Sequence, residues 1–160
     1  MKIRLLLLLV ICSPVLMFAQ TGVSTIQTAE LIQMVDSSKK PIIVSFWATW
    51  CSPCLNEIPW LEKEISGKAH DSIVLILISL DTRKTVRDIE LFVARKGFHS
   101  KVYIWQNPSI PEFAKAMNIR WTDGIPATYL RSNEKNRRIF FNRQLTELQI
   151  KRELNNLLKD

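Results

Sequence analysis

The sequence predicts an α/β domain in which a mixed sheet carries helices on both faces. Three observations predict it. Residues 42–47 and 72–80 are nearly continuous apolar, β-branched runs, the pattern of strands buried on both faces. Segments with helical spacing of apolar residues alternate with these runs. Near the end, two short β-prone runs flank the polar turn 132–136, and an amphipathic helix follows.

The elements follow in order. Residues 22–27 read as a short edge strand, and Thr28 as the N-cap of a helix carrying Leu31, Ile32 and Val35. Pro41 opens the first buried strand, where its missing N–H does least harm. A helix is expected from about Cys51 to about Ile65, with Leu55, Ile58, Leu61 and Ile65 inward and a kink at Pro59. Residues 66–71 read as a loop before the second buried strand. Thr85-Val86-Arg87-Asp88 resembles a capping box for a helix that carries Val86, Ile89, Phe92 and Val93 and stops at Gly97. Residues 102–105 read as a strand. Residues 108–118 read as a helix with Phe113, Ala116 and Met117 inward, and 119–126 as a loop. Residues 127–131 and 138–142 form the expected hairpin. Thr146 and Gln149 then open the last helix, whose apolar face holds Ile150, Leu154, Leu157 and Leu158.

With 160 residues, 47% of them apolar, the chain suits one domain that fills its core without disulfide staples. It shows no internal repeat or low-complexity tract, which argues against disorder. The first residues look like an export signal: Lys2 and Arg4, an apolar run over 5–19, and small Ala19 before Gln20. The expected organisation is a signal peptide at 1–19 and one folded domain at 20–160. The run is short of the ~20 apolar residues of a membrane span. An uncleaved N-terminal anchor is one alternative. A lipidated Cys12 is another, which bulky Ile11 disfavours. Cleavage would take Lys plus Arg from 22 to 20 against 15 acids, and the formal charge from +7 to +5. The charges are interspersed and no nucleic-acid motif accompanies them, so no nucleic-acid partner is expected. Lys135, Arg137 and Arg138 cluster at a turn and are open to an acidic partner.

The cysteines carry the chemistry. Past the leader two remain, Cys51 and Cys54, in Trp50-Cys51-Ser52-Pro53-Cys54. So short a loop makes a weak structural staple, because closing it removes little chain entropy. In an exported chain, where disulfides persist, the spacing points to a reversible redox pair. Cys51, at the expected helix N-terminus, is the candidate nucleophile, since the unpaired N–H groups and helix dipole there favour a thiolate. Cys54, one turn in, is the candidate resolving thiol. Trp50 is expected to shield the disulfide and meet substrate, and Trp47 to be core. His70 and His99 lie outside the motif, so no metal site is expected.

The segment from Phe46 to Cys54 resembles the active-site segment of the thioredoxin superfamily. Pro59, the stretch Gly124-Ile125-Pro126-Ala127-Thr128 and the closing hairpin and helix fit the same resemblance. Cys54-Leu55-Asn56-Glu57-Ile58-Pro59 is similar to the exported TlpA and ResA-like reductases. From Cys54 to Pro126 is 72 residues, and the expected place for an added βαβ unit is 72–105. The fold implied is a thioredoxin-like mixed sheet flanked by helices with a TlpA-like central insertion.

The resemblance implies a thiol–disulfide oxidoreductase, mainly a reductant of disulfides in exported proteins, with the cysteines of apocytochrome c among them. It implies a membrane thiol electron donor, an extracytoplasmic location, no cofactor and a monomer. Ser52 and Pro53 would tune the pair. Ile125, before a cis Pro126, would meet an incoming peptide strand. The alternatives are a disulfide oxidase on the same fold, a copper chaperone and a non-catalytic binding domain. A peroxidase is disfavoured by the Trp-Cys-x-x-Cys arrangement.

Two departures stand out. The resemblance places a buried acid where this chain has Ser45. Asp81 and Glu57 are the acids open to that role: Asp81 either handles the Cys54 proton or caps the next helix, and Glu57 is expected to face water. Trp121-Thr122-Asp123 looks inserted before Gly124, either shaping a groove beside Cys51 or packing.

Overall fold

The computed structural model describes residues 22–68, 72–122 and 124–159. The signal peptide expected over 1–19, Cys12, His70 and Asp123 lie outside the described residues. The elements run β1 (Ser24–Ile26), α1 (Thr28–Ser37), β2 (Ile42–Trp47), α2 (Ser52–Lys68), β3 (Val74–Ser79), α3 (Val86–Lys96), β4 (Lys101–Trp105), α4 (Ile110–Met117), β5 (Ala127–Ser132), β6 (Arg137–Phe141) and α5 (Glu147–Leu158). The sheet order is β1-β4-β3-β2-β5-β6.

The expected mixed sheet flanked by helices is what forms. β2, β3, β4 and β1 pair in parallel, while β5 and β6 add an antiparallel hairpin beyond β2. Every residue of β2 is buried, because helices cover both faces of the sheet. Ile43 and Trp47 point into the layer with α2, α3 and α5; Ile42, Val44 and Phe46 point into the layer with α1 and α4. The segment assigned to the insertion folds as β3-α3-β4, and β4 lies between β3 and the edge strand β1.

Several local readings change. The N-cap of α1 is Gln27, whose backbone N–H donates to Glu30 at 2.8 Å. Thr28 is instead buried, because its hydroxyl accepts from the Trp105 indole N–H at 3.0 Å. α2 continues through Pro59 and through the expected loop to Lys68. In α4, Phe113 and Met117 are buried as expected, but the buried alanine is Ala114 and Ala116 is exposed. The box Thr85/Asp88 caps α3, which ends at Gly97 in the left-handed region (φ 68°), where glycine carries no Cβ penalty.

Two of the cluster Lys135, Arg137 and Arg138 have partners within the chain. Lys135 Nζ donates to the carbonyls of Leu158 and Lys159, and Arg137 to those of Asn156 and Lys159. These cations close the C-terminus of α5, where carbonyls lack helical donors and the dipole is negative.

Trp121 resolves to packing. It is buried against Phe46, Trp105, Phe113 and Phe140, with centroids 4.5 to 6.3 Å apart, and its indole N–H donates to the Gly124 carbonyl at 3.1 Å. Trp121→Ala should therefore cost about 3–5 kcal/mol of folding stability. Urea unfolding measures it; a loss under about 1 kcal/mol would contradict this packing role.

Candidate active site

The parallel β2–β3 pair fixes where the cysteines go. Its register sets Trp47 beside Ser79, and the Leu80 N–H donates to the Trp47 carbonyl at 2.8 Å. The chain leaves β2 through Ala48, Thr49 and Trp50, turns with the Cys51 N–H donating to the Ala48 carbonyl at 3.0 Å, and enters α2 at Ser52. Cys51 and Cys54 are joined by a disulfide across this first turn.

The two sulfurs differ in setting. Cys51 directly precedes the helix and keeps 4% of its surface exposed, against 1% for Cys54. The Cys54 backbone N–H is directed at the Cys51 sulfur at 3.3 Å. In the dithiol state that donor and the α2 dipole would favour a thiolate on Cys51. Trp50 is 70% exposed beside them, and Ser52 and Pro53 sit at the surface.

The loop before β5 supplies the other wall. The Ile125–Pro126 bond is cis, and Ile125 packs partly buried against the cluster that holds Cys51 and Cys54. Gly124 turns at φ 86°, and its carbonyl accepts from the Trp121 indole and from Asn142 Nδ2 at 3.0 Å. Trp121 thus lies under this loop rather than in a groove.

Of the two roles expected for Asp81, the helix cap is not formed, since Thr85 caps α3. Its carboxylate accepts from the Thr49 N–H at 2.8 Å, the Thr49 hydroxyl at 2.8 Å and the Ser79 hydroxyl at 2.8 Å. Asp81 is therefore a brace that ties the cysteine loop to the end of β3.

Glu57 overturns its expectation of facing water. It is 1% exposed. One carboxyl oxygen accepts from the Thr128 hydroxyl at 2.6 Å and the other from the Leu145 N–H at 2.7 Å. Burial pushes its pKa above the ordinary carboxylate value, and the two donors and the Arg143 charge pull back only in part. Thr128 pairs across the strands with Ser45, so the Glu57 carboxyl arriving from α2 sits on the face of the sheet that Ser45 shares. Glu57 and Cys54 stand three apart on that helix, about 5–6 Å between Cβ atoms. The signal was in the sequence: 54, 57, 58, 61 and 65 form one helical stripe. Thr49, Thr128 and Leu145, which hold the two acids, carry no motif that would have singled them out.

The Thioredoxin family model matches residues 22–91. The thiol-disulfide oxidoreductase ResA of Oceanobacillus iheyensis is 32% identical over 57 residues, covering 36% of this chain and 30% of that protein. A thioredoxin of Mycolicibacterium smegmatis is 40% identical over 57 residues, covering 34% of this chain and 50% of that one. The chain thus aligns with half or less of the length of these relatives. Among solved structures, StoA from Bacillus subtilis superposes with a TM-score of 0.55 at 24% identity, over 72% of this chain and 83% of that one. A thioredoxin-related protein from Neisseria meningitidis gives 0.63 at 22% identity, over 77% and 89%. The chain is similar to the Thioredoxin family over residues 22–91 and shares the fold of these thiol–disulfide oxidoreductase structures. Among the described residues of this thioredoxin-like domain, no group of three or more His, Cys, Asp or Glu side chains is placed to hold a metal. No helix among them is long and apolar enough to cross a membrane.

Two predictions follow from the two carboxylates. Glu57 has a raised folded-state pKa, so the folded protein holds this proton more tightly than the unfolded chain. Its contribution to stability is complete below the reference value of 4.5 and declines as pH rises through its own pKa. Glu57→Gln should flatten that decline in the urea midpoint as pH rises from the reference value of 4.5. Asp81→Asn should cost about 1–3 kcal/mol and lower the disulfide-exchange rate, with the shape of its pH profile unchanged, because Asp81 holds Thr49 and not Cys54. A displaced pH profile would return Asp81 to proton handling.

Proposed function

We propose that this protein is a thiol–disulfide oxidoreductase that works mainly as a reductant of disulfides in exported proteins. The observation that carries the reading is the Cys51–Cys54 disulfide at the N-terminus of α2, with exposed Trp50 on one side and the Ile125–Pro126 loop on the other. In the reduced protein, the Cys51 thiolate attacks one sulfur of a substrate disulfide. The other substrate sulfur leaves as a thiolate and takes up a proton. Cys54 loses its proton and attacks the Cys51 sulfur of the mixed disulfide, which releases the second substrate thiol and restores Cys51–Cys54. Two electrons pass to the substrate.

Glu57 is the group we assign to the Cys54 proton. Its burial raises its pKa above the ordinary carboxylate value, and a buried carboxyl one helical turn from Cys54 is placed to exchange a proton with that thiol. Trp50, Ser52, Pro53, Ile125 and Pro126 form the rim assigned to substrate. The exported setting rests on the leader-like start, Lys2 and Arg4 before the apolar run 5–19. The resemblance to TlpA and ResA-like reductases supports apocytochrome c cysteines as one substrate class, a membrane thiol donor that re-reduces the pair, and a monomer.

The reduction potential separates reductant from oxidase. A value near about −270 mV fits the proposal, and one near about −120 mV would assign a disulfide oxidase instead. Cys54→Ala should accumulate a mixed disulfide through Cys51 with its substrate, identifiable by mass spectrometry, whereas Cys51→Ala should trap nothing and lose insulin reduction. Equal trapping by both variants would sink the assignment of Cys51 as nucleophile.

A further inference from the structure

One side of the disulfide carries a feature that the exchange chemistry does not use. The β3–α3 connection, running from Leu80 past Asp81, Thr82, Arg83 and Lys84, forms with Trp50 a surface concavity of about 490 Å³. A second concavity, of about 500 Å³, shares Thr82 and Lys84 with it and continues to Gln106 and Asn107 at the end of β4. Together they make a cleft over the carboxyl ends of the parallel strands, where open α/β sheets receive ligands. One end is the exposed indole beside Cys51.

The exposed charges of this cleft are cations, and the one carboxylate in its lining, Asp81, is buried. Arg83 and Lys84 are exposed along it. Both nearby carboxylates are engaged by the protein itself: Asp81 by Thr49 and Ser79, and Asp88 by the Thr85 N–H at 2.9 Å and the Thr85 hydroxyl at 2.8 Å. Lys84 shares its field with Asp88 across the start of α3, while Arg83 lines the cleft next to Trp50. A chain lying here would meet two cations, an aromatic surface and the side-chain amides of Gln106 and Asn107.

We infer that the cleft along Trp50, Arg83 and Lys84 is a specificity site for an extended polypeptide segment bearing acidic side chains beside the cysteine to be reduced. The inference deepens the proposed exchange reaction and rests on it. Trp50 supplies apolar contact that tolerates sequence, and the cations supply sign selection, which acts through encounter rate and register.

The test uses the full reduced protein and peptides closed by one disulfide, flanked on either side by Asp-Glu, Gly-Ser or Lys-Arg. Second-order rate constants for reduction are read by thiol release. The expected order is acidic, neutral, basic, with an acidic-to-basic ratio of about tenfold at low salt that shrinks towards unity near about 0.5 M. The double variant Arg83→Glu/Lys84→Glu should invert the order. Lys39→Glu/Lys40→Glu changes the net charge equally at the amino end of β2, away from the cysteines, and should keep the wild-type order. Equal rates for the three peptides, an order untouched by the Arg83/Lys84 change, or the same inversion in the Lys39/Lys40 variant would overturn the inference. Failure to reduce any of the three, including the neutral one, would instead overturn the exchange reading itself, and the cleft assignment with it.

Discussion

The complete burial of β2 is the constraint on which the rest of the molecule depends. A strand with no exposed residue needs partners on both edges and cover on both faces. β3 meets it in parallel, β5 in antiparallel, and helices close the two faces. The carboxyl end of β2 then emerges between the end of β3 and the start of β5. The register puts Asp81 two residues past the partner of Trp47, and Pro126 one residue before the partner of Phe46. The disulfide is thereby framed by elements far apart in sequence.

Two carboxylates near this site act differently because their surroundings differ. Asp81 takes three hydrogen bonds from Thr49 and Ser79 and serves as a fixed acceptor that shapes the loop. Glu57 has two donors but lies deep between α2, β5 and the entry to α5, where burial outweighs them and raises its pKa. A buried acid whose ionised form is disfavoured suits an exchangeable proton; an acid held by three donors suits a brace. The same Glu57 contacts tie α2 to β5 and to Leu145, so removing its acceptors would leave two buried donors without a partner.

The opposite face steadies the site from below. Phe46, Trp105, Phe113 and Trp121 meet in tilted and edge-on contacts, and the Trp121 indole reaches through to the Gly124 carbonyl. Asn142 at the end of β6 holds the same carbonyl. The loop carrying Ile125 and Pro126 is therefore anchored to the α1/α4 layer and to the hairpin, which gives the rim beside the disulfide a defined position without covering it.

By itself the sequence determined the elements, the sheet class and the redox pair. Continuous apolar runs and helical patterns, capping boxes at Thr85 and Thr146, and the Cys51/Cys54 spacing are local signals, because each follows from a few neighbouring residues. Local signals also account for the errors. Thr28 has the chemistry of a cap, but the indole of Trp105 claimed its hydroxyl. Glu57 reads as a surface charge until Thr128 and Leu145, 71 and 88 residues away, supply donors for it. For Asp81, the cap, one of its two open readings, gives way to Thr49, 32 residues earlier, which meets it across the β2–β3 pair. Only the tertiary structure decided that both acids are buried, which donors hold each and which cations remain at the cleft. Burial and hydrogen-bond satisfaction belong to contacts between elements, and no window along the chain contains both partners.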